Sequence, residues 1–182
     1  MATSCTSYAI KGMGQECAGG VAGIKQLLLG LASEWNVSAS TSSQTITNLS
    51  GTSTAATLYN YFITDESTSL TSTLTRNDQN GVKYYTNVIA ATWNRMRPEK
   101  HIELMALANE KLIAIAIDNN DQAWFLGFGS SVTATEETAQ SGQAFDDTSG
   151  YQVTLSQRSS YLPFGIDKSL FSGKIDTPNV YE

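Results

Sequence analysis

The chain has 182 residues, with three prolines, a single histidine and a formal net charge of −6. A surface that binds DNA or RNA is normally basic, so this net charge argues against specific nucleic-acid binding. It is compatible with a protein past which a polyanion slides without being bound. A chain of this length buries about 70% of the surface of its unfolded state, so one domain can fold without a disulfide or a metal.

The first twenty residues are small and polar, with repeated Ser, Thr and Gly. We interpret them as an extended arm that either docks on a neighbouring subunit or frays as a free terminus. Cys5 and Cys17 fit free or buried thiols better than a disulfide, because no secretory signal precedes them. The longest apolar run, residues 27–32, is too short to cross a bilayer, so we expect a soluble protein made in a cytoplasm.

The next part of the chain predicts short strands separated by polar turns. Residues 21–39 predict a first strand or a bent strand pair, with a bulge or turn at Glu34, Trp35 and Asn36. A polar loop over residues 38–44 then leads to a short strand around Ile46 and Leu49. We interpret residues 58–74 as one longer stretch of alternating side chains.

A long hairpin follows. Residues 77–81 read Asn-Asp-Gln-Asn-Gly, and Asn-Gly tolerates the positive φ that tight hairpin turns need. The hairpin runs from about residue 70 to residue 88 and is polar along much of its outward face. Such a hairpin has little core of its own, so we expect it to protrude and to pack on another chain.

Residues 82–128 predict strand, helix, strand, turn and strand, and the rest of the chain is organised around this unit. Pro98 suits the first turn of a helix over about residues 98–110. Its apolar face is predicted to contain Ile102, Met105, Ala106 and Asn109, widened by Leu104, Leu107 and Ala108. The apolar strand over residues 112–117 should be buried on both faces, with the helix lying over its isoleucines.

The last third predicts less regular structure. Residues 129–149 are weakly hydrophobic, so we interpret them as a loop whose acidic pairs, Glu136-Glu137 and Asp146-Asp147, are solvated. Residues 151–155 alternate as a half-buried strand. Pro163 suggests an edge or linking segment over residues 161–164. We divide the chain into an arm (1–20), a single β-rich domain (21–166) and a C-terminal tail that caps part of it (167–182).

No catalytic, cofactor or metal site is predicted. His101 is the single histidine, which leaves no His-based metal cluster and no Ser-His-Asp or Cys-His arrangement. Residues 118–129 lack the glycine and the final acidic residue of a calcium-binding EF-hand loop. Trp35, Trp93 and Trp124 could stack on sugars, but aromatic residues in strands are more often part of a core.

The order of the parts resembles that of the tail tube proteins of tailed bacteriophages, particularly phages of Bacteroidetes bacteria. The resemblance covers most of residues 17–160. It begins with Cys17, Gly19 and Gly20 before an apolar strand and continues through the hairpin, the helix and the strand-turn-strand unit. It ends with an acidic, glycine-bearing loop and the strand that starts Gly-Tyr-Gln-Val-Thr-Leu at residue 150.

This resemblance implies a mainly β (α+β) fold, a tail-tube-like β-sandwich or half-barrel with one flanking helix and a long hairpin. It implies hexameric rings that stack into a tube within the virion, assembled in the host cytoplasm with other tail proteins. Genomic DNA would pass through the lumen without specific binding, and no membrane is involved. The expected subunit contacts lie at the hairpin turn and in the arm, at Asn77, Asp78, Asn80, Gly81, Tyr8 and Ile10.

Other functions stay open at this point. A tail terminator or connector ring would share the fold but stop after one ring. A carbohydrate-binding β-sandwich should present exposed, clustered Trp or Tyr side chains and stay monomeric. An enzyme is the third alternative, and no acid, base, nucleophile or ligand cluster in the sequence favours it.

Overall fold

A computed structural model describes residues 20–63, 66–144, 147 and 149–176. The part of the chain that precedes residue 20, with Tyr8, Ile10 and both cysteines, lies outside these residues. The described elements are β1 (Ile24–Leu31), β2 (Trp35–Ser40), β3 (Thr45–Gly51), β4 (Leu58–Tyr61), β5 (Ser69–Asn77), β6 (Val82–Asn94), α1 (Pro98–Asn109), β7 (Leu112–Asp118), β8 (Ala123–Leu126), β9 (Thr133–Gln140), β10 (Gly150–Ser159), β11 (Phe164–Ile166) and β12 (Ile175–Asp176).

Two sheets form a sandwich. The larger has eight strands in the order β12-β4-β1-β7-β8-β11-β3-β2, and the smaller has four antiparallel strands in the order β5-β6-β10-β9. The predicted mainly β fold, a sandwich or half-barrel with one flanking helix, is confirmed. The predicted order of strand, helix, strand, turn and strand over residues 82–128 is confirmed as well.

Strand β7 separates two apolar cores and is buried on both faces, as its sequence predicts. Leu112, Ala114 and Ala116 face the core between the two sheets, together with Leu27, Leu29, Ile89, Val153 and Leu155. Ile113, Ile115 and Ile117 face a second core on the other side of the larger sheet. Burial of large aliphatic side chains stabilises each core by about 1.5–3 kcal/mol per residue, so β7 is central to both.

The larger sheet is rolled around the second core, so that its two ends approach each other. Phe171, in the segment that precedes β12, is buried in the same cluster as Trp35 of β2 and Leu49 of β3. Lys174 donates to the carbonyl oxygen of Leu49, and its ammonium group lies 5.6 Å from the ring centre of Trp35. Residues 167–176, predicted as a capping tail, therefore pack across the open end of the half-barrel.

The helix presents a different face to the core from the one that its sequence predicts. Leu107 is buried and Leu104 packs against the first core, whereas Ile102 and Met105 are 71% and 67% exposed. The helix does not cover the isoleucines of β7, which point into the second core. The apolar residues of this helix spread around most of its circumference, so periodicity alone could not identify the buried side.

Replacing Leu107 with Ala should therefore destabilise the domain far more than replacing Ile102 with Ala. The first change leaves a cavity and should lower the free energy of unfolding by about 2–4 kcal/mol, while the second should cost less than about 1 kcal/mol. Chemical denaturation of both variants beside the wild type gives the two values. Equal losses would contradict the assigned helix face.

Three other expectations are wrong. Residues 58–74 are not one strand, because β4 belongs to the larger sheet and β5 to the smaller one. Residues 129–149 contain strand β9. Residues 161–163 do link two strands, as expected, and Phe164 begins β11, which lies between β8 and β3 inside the larger sheet. Trp35 and Asn36 belong to β2, since the bend before it is a 3-10 turn over Ala32–Glu34.

Candidate subunit interface

The four-stranded sheet ends on each side in an open strand, meaning one with a single strand partner, and α1 lies beside β9. Within the described residues, β5 pairs only with β6 and β9 pairs only with β10. The two strands are nearly equal in length, at nine and eight residues. An unpaired strand edge presents backbone N–H and C=O groups with which a strand of another chain can pair, so both edges are templates for association.

The face of this sheet that points away from the core is rich in hydroxyl groups. Strand partners lie on the same face, so the register of the four strands assigns this face directly. Its hydroxyl-bearing side chains are Ser69, Thr71, Thr73, Thr75, Tyr84, Thr86, Thr92, Thr133, Thr138, Thr154 and Ser156. The charged side chains on this face of the described strands are one acid, Glu136, and one base, Arg158, which makes the face close to neutral.

The hairpin of β5 and β6 extends beyond the core. Every residue of β5 except Leu70 is exposed, and Leu74 and Val82 are 47% and 44% exposed. The tip residues Asn77, Asp78, Asn80 and Gly81 form the predicted turn, in which the side chain of Asn77 accepts the N–H groups of Gln79 and Asn80. The structure thus places the expected contact residues of the hairpin together at its exposed end.

Glu137 on β9 points inward and is not simply solvated. It lies opposite Val153, which is fully buried in the first core. Its Oε1 atom is shielded from solvent and has no hydrogen-bond partner among the described residues. Burial raises the pKa of Glu137 above its ordinary value, so this group favours the folded chain when protonated and that contribution is lost as the pH rises through its pKa.

Arg76 on β5 and Lys83 on β6 lie directly opposite each other on the same core-facing side of the hairpin. Arg76 Nε donates to Asp78 Oδ1 at 2.5 Å, and both side chains are largely exposed. Lys83 has no ion-pair partner among the described residues. Like charges directly opposite each other destabilise a strand pair, and Asp78 is the one carboxylate paired with them among the described residues.

A second feature is a groove of about 870 Å³ between α1 and the end of β4. It is bridged by a hydrogen bond from the hydroxyl of Tyr61 to Glu103. Burial, and then the neighbouring Glu103 carboxylate, raise the pKa of Tyr61 well above its ordinary value. This contact joins the helix to the larger sheet.

The tryptophans do not form an exposed platform. Trp35 and Trp93 are buried and Trp124 is half-buried, with its indole N–H donating to Asp118. His101 packs edge-on against Tyr151, with 5.5 Å between the ring centres. Asp118 also accepts the backbone N–H groups of Asn120 and Gln122, as expected of a hairpin turn.

No group of three or more His, Cys, Asp or Glu side chains among the described residues could hold a metal ion. No helix among these residues is both long and apolar enough to cross a membrane.

Sequence reasoning missed strand β9, which forms one side of the candidate interface. Its sequence, TATEETAQ, has no large apolar residue, because the core-facing positions of this strand are occupied by Ala134, Glu137 and Ala139. The available signal was its threonine content, since β-branched residues favour strands.

Comparison with protein-family models, curated proteins and solved structures finds no match to this chain.

Proposed function

We propose that this chain is a structural virion protein that assembles into stacked rings and forms the tail tube of a bacteriophage. The observation that carries the proposal is the four-stranded antiparallel sheet with an open strand on each side. The proposed family, the tube and the six-fold ring come from the resemblance of this chain to tail tube proteins in the order of its sequence segments.

The direction of the strands suits a closed ring. Because the sheet has an even number of antiparallel strands, β5 and β9 run in opposite directions. Copies that stand in the same orientation around a ring would therefore join β5 to β9 as another antiparallel pair. Closure of the ring removes every open edge of these sheets, which is how barrels avoid uncontrolled association.

The proposed lumen is the outward face of the same sheet. Threonine and serine hydroxyls bind phosphate weakly in comparison with Lys or Arg, and the face has one acid and one base among its described side chains. DNA affinity comes largely from neutralised phosphates, so such a face would let DNA pass without holding it. In this proposal the rings contact other tail proteins and carry out no catalysis.

The buried and half-buried tryptophans give no support to a carbohydrate-binding module, which would need an exposed aromatic surface. A tail terminator or connector ring shares the edges described above and differs in whether rings stack.

Negative-stain electron microscopy over a concentration series, with light scattering for the mass, tests the proposal. Hollow tubes or stacked rings are the expected result. Isolated rings at every concentration would favour the terminator or connector. A monomer at every concentration would contradict ring assembly by the chain itself.

A further inference from the structure

Each open edge of the four-stranded sheet carries an inward-facing charge, and the two edges differ in sign. Glu137 of β9 is on the core-facing side, opposite Val153. Arg76 of β5 is on the same side of the sheet, opposite Lys83. The β9 edge is therefore anionic on this side and the β5 edge is cationic.

Inward-pointing charges on edge strands normally discourage pairing with another chain, because a paired strand would bury them. The cost is already visible at Glu137, whose Oε1 atom is shielded and unpartnered among the described residues. At the hairpin the charges are exposed and the unfavourable contribution is repulsion, because Arg76 and Lys83 share one position of the ladder and Asp78 partners only Arg76.

We propose that these charges select head-to-tail association, in which β5 of one copy pairs with β9 of the next and Glu137 meets Arg76 and Lys83. In the strand register Glu137 is level with Ala91 and Arg76 is level with Lys83, eight residues away along β6, so this contact requires neighbouring copies to be shifted along the strands, as the tilt of strands in a closed barrel demands. Two β5 edges aligned at Arg76 would bring four cations together beside two Asp78 carboxylates, and two β9 edges aligned at Glu137 would bring two shielded carboxylates together. The mixed pairing alone compensates both edges. Opposite charges across an interface mainly set its specificity, and like charges suppress wrong partners.

This selection has a consequence for the assembly. Two identical edges that pair with each other form an isologous dimer, in which the other edge of each copy stays unpaired. A β5-to-β9 contact is heterologous, and heterologous contacts form rings when the rotation between copies closes. The inference rests on the proposed function and identifies the residues that would make ring formation, rather than dimer formation, the preferred outcome.

Charge reversal tests the inference in the full chain. One variant carries Glu137→Lys, a second carries Arg76→Glu with Lys83→Glu, and a third combines all three changes. Glu136→Lys is the matched control, because Glu136 is the neighbouring acid on the same strand but points to the opposite face. Sedimentation velocity gives the concentration at which each variant assembles, and circular dichroism checks that each is folded.

Each one-sided reversal should raise the assembly concentration about tenfold or more, since a change of about 1.4 kcal/mol per contact corresponds to a factor of ten. The combined variant should return to within about threefold of the wild type, and so should Glu136→Lys. Assembly of the wild type together with unaffected one-sided variants, or with no rescue in the combined variant, would overturn this inference alone. A wild type that never assembles would overturn the proposed function and this inference together.

Discussion

Shortening the β5–β6 hairpin should abolish assembly while leaving the domain folded. In the variant, Asn-Gly replaces residues 75–84 and directly connects Leu74 to Tyr85. These two residues are partners in the strand register, so a two-residue turn closes the shortened hairpin in its natural geometry.

The domain should tolerate this change because the removed part makes one ring contact with the remaining described residues, in which the guanidinium group of Arg158 lies 5.9 Å from the ring centre of Tyr84. The part of β5 that is removed is exposed throughout, and the core positions of β6 begin at Asn87 and Ile89, beyond the excised segment. The free energy of unfolding should change by less than about 1 kcal/mol, as for most surface changes. Assembly should be lost, because the variant lacks the last three of the nine residues of β5, and with them Arg76, together with Lys83 of β6.

Light scattering over a concentration series measures the loss, and thermal unfolding of the same samples provides the control for folding. A shortened chain that still forms rings at the wild-type concentration would show that the hairpin is not part of the contact. A shortened chain that fails to fold would show instead that the hairpin supports the core, against the exposure seen here.

Replacing Gly150 with Ala should destabilise the four-stranded sheet more than the addition of a methyl group at any other position of that sheet. A Cβ at this position would lie 2.0 Å from the carbonyl oxygen of Trp93 and 3.0 Å from its carbonyl carbon. Gly150 begins β10 and is buried against the end of β6, so the added methyl group would push apart the two central strands of the sheet. We expect a loss of about 3 kcal/mol or more in the free energy of unfolding.

Gly173→Ala is the matched control, because a Cβ there would meet no atom within 4 Å. Its effect on the free energy of unfolding should stay within about 0.5 kcal/mol, which is usual for open surface positions. Urea denaturation of both variants gives the comparison. A Gly150→Ala variant as stable as the wild type would mean that β6 and β10 do not approach each other as closely as described.

The buried elements could be predicted from the sequence because burial leaves a pattern. The alternation around Ile113, Ile115 and Ile117 predicts a strand covered on both faces, and the Asn-Gly pair at Asn80 and Gly81 predicts the hairpin turn. Both predictions are confirmed. They depend on local physical requirements, apolar cover in one case and positive φ in the other.

The candidate interface could be predicted only in part, because an open edge has no apolar cover to leave a pattern. Strand β9 reads as a polar loop, and the inward orientation of Glu137 depends on its register against β10. The buried side of α1 could not be predicted from the sequence either. Leu104 with Leu107 and Ile102 with Met105 are two apolar pairs on different sides of the helix, and the sequence does not show which pair faces the core. The sequence correctly located Asn77 and Gly81 at the tip of the hairpin. Their role in a contact between subunits remains a prediction.

Amide hydrogen exchange of dilute and concentrated protein tests most directly whether the chain associates through the two open edges. Backbone amides of β5 and β9 that do not bond to β6 or β10 should exchange rapidly in the monomer. We predict that assembly slows exchange in Ser69–Asn77 and Thr133–Gln140 together, because each edge supplies one side of the same contact. Assembly that protects other surfaces, such as the exposed side of α1, while both edges exchange as in the monomer would contradict the account.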